Sequence, residues 1–108
     1  MRYDINLTFL SKKDIIDIHD YIFDYDSPLA AKRLYEKIQE LISSLNYLPQ
    51  RGHIPPELES IRVYDYLEVH YKPYRIIYQI IEKKVIIHGV FDGRRQMQKL
   101  LEERLLRP

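Results

Sequence analysis

The chain has 108 residues, 45% of them hydrophobic and 31% charged, a balance that fits one folded domain and excludes a disordered segment. Lys+Arg 17 against Asp+Glu 16 leaves a formal charge of +1, which excludes retention on nucleic acid by bulk charge alone. With Cys 0 there is no disulfide scaffold, thiolate metal site or cysteine nucleophile.

No apolar run is long enough to cross a bilayer, and Met1-Arg2-Tyr3-Asp4 lacks a signal-peptide pattern, so the expected location is the cytoplasm, away from membranes. Ile5, Leu7 and Phe9 alternate with Asn6, Thr8 and Leu10, predicting a strand over about residues 3–10. Ser11, followed three residues later by Asp14, reads as the N-cap of a helix whose buried stripe is Ile15, Ile18, Ile22 and Tyr25. Ser27-Pro28 is a second N-cap with proline at the first helical position. Ala31, Leu34, Tyr35, Ile38, Leu41, Ile42 and Leu45 then keep the helical period until Pro49 and Gly52 stop it. The two helices form an αα-hairpin, whose apolar stripes need a surface to cover. Residues 46–60, with three prolines and a glycine, predict a structured loop. Strands follow over about 61–71, 74–81 and 85–91, and a last helix over 94–106 carries Met97, Leu100, Leu101 and Leu105 on one side.

The turns set an expected register. With Lys72-Pro73 as a two-residue connection, Tyr71 lies opposite Tyr74, His70 opposite Arg75 and Glu68 opposite Ile77; with Lys83-Lys84 as the next turn, Gln79 lies opposite His88. One face then carries Val63, Leu67, Val69, Ile76, Tyr78, Ile80, Val85, Ile87 and Phe91, fit to receive the helices. The other carries Tyr64, Tyr66, Glu68, His70, Arg75, Gln79 and His88. An open, solvated polar face is the plain account of that second set. An arginine inside a strand nonetheless needs a reason: either it is paired, or it faces a site that wants fixed positive charge. The functional reading is an anion-binding or nucleic-acid surface centred on Arg75, with Glu68, His70 and His88 as candidate acid or base groups.

Gly93-Arg94-Arg95 adds to that reading. If Asp92 is an N-cap, Arg94 and Arg95 place positive charge at the positive end of the last helix, where acidic residues are preferred. Backbone amides with the two guanidinium groups make a candidate pocket for phosphate or carboxylate. His19, His53, His70 and His88 have no ligand spacing such as i, i+4, so no metal and no other cofactor is expected. His19, beside the first helix's stripe, reads as a packing residue.

Tyr21-Ile22, Ser27-Pro28-Leu29-Ala30-Ala31, Leu45 to Pro49 with Gly52, Tyr74-Arg75-Ile76-Ile77-Tyr78 and Gly93-Arg94-Arg95 appear in an order that resembles the RelE/ParE superfamily of bacterial type II toxin-antitoxin toxins. The long helical hairpin and its Ser-Pro start are closer to the ParE branch. The resemblance implies an α+β fold: an N-terminal strand, an αα-hairpin packed on one face of a small, mainly antiparallel four-stranded sheet, and a C-terminal helix. It also implies a cognate antitoxin whose C-terminal segment wraps the toxin in a hetero-oligomer, a role in plasmid stabilisation, and growth inhibition through DNA gyrase. The alternative it implies is a RelE-like endoribonuclease acting on mRNA at the ribosome. That branch uses basic residues ahead of the Tyr-Arg strand and a tyrosine in the last helix. Tyr66, Glu68 and Leu101 fall at those places here, and only Arg75 and Arg95 match, so an enzyme would need a variant site. A third alternative is an inactive toxin that keeps antitoxin binding.

Overall fold

Thr8 rather than Ser11 starts the first helix. In the computed structural model, which describes residues 2–107, Thr8 has extended backbone and its hydroxyl accepts a hydrogen bond from the Ser11 N–H at 3.1 Å. Ser11 is buried in the first turn and donates its own hydroxyl to the Thr8 carbonyl at 2.8 Å. Strand β1 is therefore short, Asp4–Leu7, and helix α1 runs Phe9–Tyr25. Met1 and Pro108, the ends of the domain expected over 1–108, lie outside the described residues.

Helix α2, Pro28–Ser44, begins as expected, with the Ser27 hydroxyl accepting from the Ala30 N–H at 3.0 Å. Its inner stripe buries Ala31, Ile38 and Ile42, with Leu45 buried at its C-cap, while Tyr35 lies toward solvent. On α1 only Ile15 of the expected stripe is fully buried; Ile18 and Ile22 are half-buried and Tyr25 is exposed. The proline-bearing loop contains a 3-10 turn at Pro49–Arg51 and a one-turn helix α3, Pro56–Glu59.

The strand expected over 61–71 shrinks to β2, Leu67–Tyr71. Arg62 takes a left-handed φ of 62°, and the Val63 N–H donates to the Leu58 carbonyl at 2.9 Å, so the chain folds back on α3 instead of extending. Strands β3, Tyr74–Ile81, and β4, Lys84–Asp92, complete a four-stranded sheet in the order β1-β4-β3-β2. β1 pairs parallel to β4 and the other pairs are antiparallel, which is the α+β arrangement expected.

The β2–β3 register is the one the sequence predicts, with Tyr71 opposite Tyr74, His70 opposite Arg75 and Glu68 opposite Ile77. The second hairpin turns at Glu82-Lys83 rather than Lys83-Lys84, because Ile81 lies opposite Lys84 and Glu82 supplies the positive φ, 55°, of a tight hairpin turn. The ladder then slips: Ile77 lies opposite Gly89 but Tyr78 opposite Ile87, leaving His88 as an extra residue in a β-bulge. The shifted turn already places Gln79 opposite Ile86 in the ladder, although the His88 ring still reaches the Gln79 side chain at 3.1 Å.

The bulge inverts the alternation beyond it, so Val90 rather than Phe91 joins the core beneath the helices. That core holds Ile15, Ile38, Ile42 and Leu45 against Ile76, Tyr78, Val85, Ile87 and Val90. The opposite face is covered, not open as expected. Leu58 from α3 and Met97 and Leu101 from helix α4, Met97–Leu101, pack on Ile77 and Phe91, with Val63 and Tyr66 beside them. After α4 the chain continues as a wider, π-type turn, Glu102–Leu106. The last helix thus starts later than residue 94, with Gln96 as its N-cap.

Past Leu7, β4 has no strand on that edge, and side chains satisfy its backbone. The Val90 N–H donates to Asp14 Oδ2 at 3.0 Å, and Arg104 Nη1 donates to the His88 carbonyl at 3.0 Å. Arg104 also clasps Asp14 through Nη1 at 2.9 Å and Nη2 at 3.0 Å, and lies 4.8 Å above the Phe91 ring. Gly89 leaves room for this stack: a Cβ there would meet Phe91 Cε2 at 2.5 Å and Arg104 Nη1 at 3.0 Å. Gly89→Ala should therefore destabilise the fold by about 2 kcal/mol, the usual cost of overpacking. Equilibrium urea unfolding measures it; an unchanged midpoint would show that the ring and guanidinium yield freely.

Candidate functional site

Arg75 has partners on both sides. From β2, the buried Glu68 receives Arg75 Nε at 2.6 Å on Oε1 and Nη2 at 3.0 Å on Oε2. From α3, Glu57 receives Nη1 at 2.8 Å and Nη2 at 2.6 Å on its two oxygens. Four of the five guanidinium N–H donors are thereby used. Side-chain exposure is 12% for Arg75, 22% for Glu57 and 1% for Glu68, so the cluster is largely out of water. Hydrogen bonds from Arg75 hold the Glu57 carboxyl below its ordinary value against the opposing effect of burial, and the same bonds, Glu57's first, raise the guanidinium further. Of the two reasons for an arginine inside a strand, pairing is the one seen here: the charge of Arg75 is met within the protein.

Glu68 also gathers imidazoles. His70 Nε2 lies 3.0 Å from Oε1 and His53 Nε2 lies 3.2 Å from Oε2, with the two rings edge-on at 5.1 Å. Glu68, His70 and Arg75 thus converge, as the shared face predicts. Glu57 and His53 join them without a signal in the sequence. Pro55-Pro56-Glu57 does carry a helix-start pattern with an acid in the first turn, but nothing local marks its reach to Arg75. His88 stands apart. It contacts Gln79, the Tyr66 ring at 5.4 Å, and Arg104 through its carbonyl. Burial, and then the Arg104 charge, push its imidazole below the ordinary value. His19 packs near the rings of Phe23 and Tyr35, as a packing residue would.

Arg94 and Arg95 lie in the turn before α4, so neither loads a helix terminus, and Asp92 is no N-cap. Asp92 instead accepts from the Arg94 backbone at 3.0 Å and from its guanidinium at 3.0 and 2.7 Å, which holds the Asp92 carboxyl below its ordinary value. Arg95 is exposed and makes no side-chain hydrogen bond among the described residues. Both arginines rim a groove of ≈ 320 Å³ between α1 and the start of β3, lined also by Tyr21, Ile22 and Tyr74 and by two carboxylates, Asp17 and Asp92. The groove runs onto an exposed aromatic pair on α1, where Tyr21 and Tyr25 stack at 4.7 Å; Phe23 lies on the other side of the helix, beside His19. No helix among the described residues is long and apolar enough to cross a membrane.

Residues 5–97 match the family of the ParE toxin of type II toxin-antitoxin system, parDE. The chain belongs to the ParE toxin family. A search of curated proteins gives no match. Among solved structures, the chromosomal ParDE system of P. aeruginosa superposes with a TM-score of 0.71 at 16% identity, covering 84% of this chain and 96% of that one. The RelBE2 toxin-antitoxin complex of Mycobacterium tuberculosis gives 0.63 at 18%, covering 85% and 92%. A mutant of the E. coli toxin RelE, in the free state, gives 0.64 at 12%, covering 98% and 97%. At such identities the superpositions establish the shared fold, which this ParE-family chain has in common with both branches.

Arg75→Ala would strand the buried Glu68 and should cost about 3 kcal/mol in urea unfolding, whereas Arg95→Ala should stay within about 0.5 kcal/mol of the parent. Equal effects would remove the distinction between a structural and a free arginine. Glu57 gives a pH signature. Because its folded pKa is depressed, its contribution is complete above the unfolded value, about 4.3, and is lost as pH falls through the folded value. Glu57→Gln should therefore flatten the acid limb of the stability profile measured by urea midpoints below pH 5; an unaltered limb would show that the pair carries no linkage.

Proposed function

We propose that this ParE-family protein is a toxin that works by binding: free, it poisons DNA gyrase, and a cognate antitoxin neutralises it by wrapping the helical hairpin and the Arg94–Arg95 rim. The observation that carries the reading is the occupation of Arg75. Catalysis of phosphoryl transfer needs donors pre-aimed at the developing charge, and Arg75 already commits its donors to Glu57 and Glu68. What remains for a target is a surface with the exposed Arg95, whose guanidinium makes no hydrogen bond among the described residues, and the exposed rings of Tyr21 and Tyr25. Aromatic residues beside arginine are the composition of protein-protein hot spots. A short amphipathic antitoxin segment suits the same strip, laying apolar side chains on the rings and acidic ones on the arginines.

An endoribonuclease reading has one observation in its favour, the convergence of His70 and Arg75 on Glu68. The purified protein should inhibit gyrase supercoiling and stabilise cleaved DNA, and Arg95→Glu should weaken that inhibition at least about tenfold without shifting the unfolding midpoint. No inhibition, together with mRNA cuts in expressing cells that His70→Ala abolishes, would replace this reading with the nuclease. Unimpaired growth on expression without antitoxin would instead identify an inactive toxin.

A further inference from the structure

We infer that His53, Glu68 and His70 form a binding site for a divalent first-row transition metal ion, with Zn²⁺ the best fit. The inference does not depend on the cellular target. It begins with the backbone. His53 and Glu68 face each other across an isolated antiparallel bridge, with His53 N–H to the Glu68 carbonyl at 3.2 Å and Glu68 N–H to the His53 carbonyl at 2.8 Å. Residues directly opposite share a face, and His70 shares it too, two positions along β2 from Glu68. Gly52 permits the close approach: a Cβ there would collide with the Tyr78 hydroxyl and come within 2.8 Å of the Glu68 carbonyl oxygen. The three side chains are thus held by sheet hydrogen bonds rather than by a free loop.

The donor geometry fits an ion. One ligand atom from each residue lies within 4.8 Å of the others, and the two imidazole Nε2 atoms are 3.2 and 3.0 Å from the carboxylate oxygens. Around tetrahedral Zn²⁺, with bonds of about 2.0–2.1 Å, ligand atoms sit roughly 3.3 Å apart. An ion would replace the direct contacts between the two imidazoles and Glu68. The electrostatics favour it, since Glu57 and Glu68 bring two negative charges against one guanidinium. Arg75 would act from behind, its Nε and Nη2 fixing the carboxylate as outer hydrogen bonds do at metal sites. Two imidazoles and one carboxylate suit zinc and its transition-metal neighbours better than magnesium or calcium, which take oxygen ligands. His53 and His70 are 59% and 38% exposed on their side chains, so water can complete the coordination.

The test is calorimetric titration of the tag-free full chain, stripped with chelator, with ZnCl₂, accompanied by NMR of the imidazole resonances. One ion should bind per chain, His53 and His70 signals should move while His19 and His88 stay in place, and His53→Ala or His70→Ala should each weaken binding about tenfold or more. Both substitutions are at solvent-exposed rings, and far-UV circular dichroism checks that the fold is retained. The NMR arm needs no variant. Absence of binding, perturbation centred on His19 or His88, or unchanged affinity in either variant would overturn the site.

Discussion

The ion cluster of Arg75 with Glu57 and Glu68 decides how the second face of the sheet is built. Glu68 is 1% exposed, and an unpaired carboxylate there would be costly; Arg75, in turn, would be a buried cation without it. Glu57 closes the arrangement from a different element. By reaching Arg75 it fixes α3 over the sheet, which brings Leu58 onto Ile77 and Phe91 and carries Val63 and Tyr66 in behind. A point contact between charges thereby determines where an apolar segment docks. Such a pair adds little net stability over a well-packed apolar substitute, but it admits few alternative registers.

The bulge at His88 is the complementary device. Without the extra residue, strict alternation would put Phe91 beneath the helices and Val90 on the far side. With it, the far side gains an aromatic ring large enough to seat Met97 and Leu101, and the helix side keeps a smaller residue where α1 passes close. Asp14 and Arg104 then finish the edge of β4 that β1 is too short to cover. One slip in register therefore links a helix near the N-terminus to a turn near the C-terminus.

Much of this was legible in the sequence because it rests on local rules. Ser27-Pro28, the Lys72-Pro73 turn and the alternation through β3 each declare themselves within a few residues, and with them the β2–β3 register that puts Arg75 near Glu68 and His70. What stayed hidden depends on contacts across the chain. Val63, Tyr64 and Tyr66 have strand-like side chains, yet the left-handed turn at Arg62 and the apolar cover that Val63 and Tyr66 provide pull this segment off the sheet. A bulge followed by two apolar residues, Val90 and Phe91, leaves no mark in the alternation. Thr8 and Ser11 are both good N-caps by type, and the choice between them turned on which hydroxyl could be buried. Glu57 and His53 could not be tied to Arg75 and Glu68 without knowing that the proline-rich loop returns to the sheet edge.

Arg75 and Arg95 differ in what already occupies their guanidinium groups. Scaffolds as similar as those of ParDE, RelBE2 and RelE do not distinguish chemistries at 12–18% identity, so the decision rests with side chains. For Arg75 to bind a phosphate, the anion would have to displace Glu57 or Glu68 from short, largely dry hydrogen bonds, leaving a carboxylate facing another anion. Arg95 has no side-chain hydrogen bond among the described residues to break, and Asp92 acts on it only through space. An acidic or nucleic-acid partner therefore meets less opposition at the rim of the α1 groove than at the centre of the sheet. That asymmetry is what makes a binding toxin the simpler reading of this member of the ParE family.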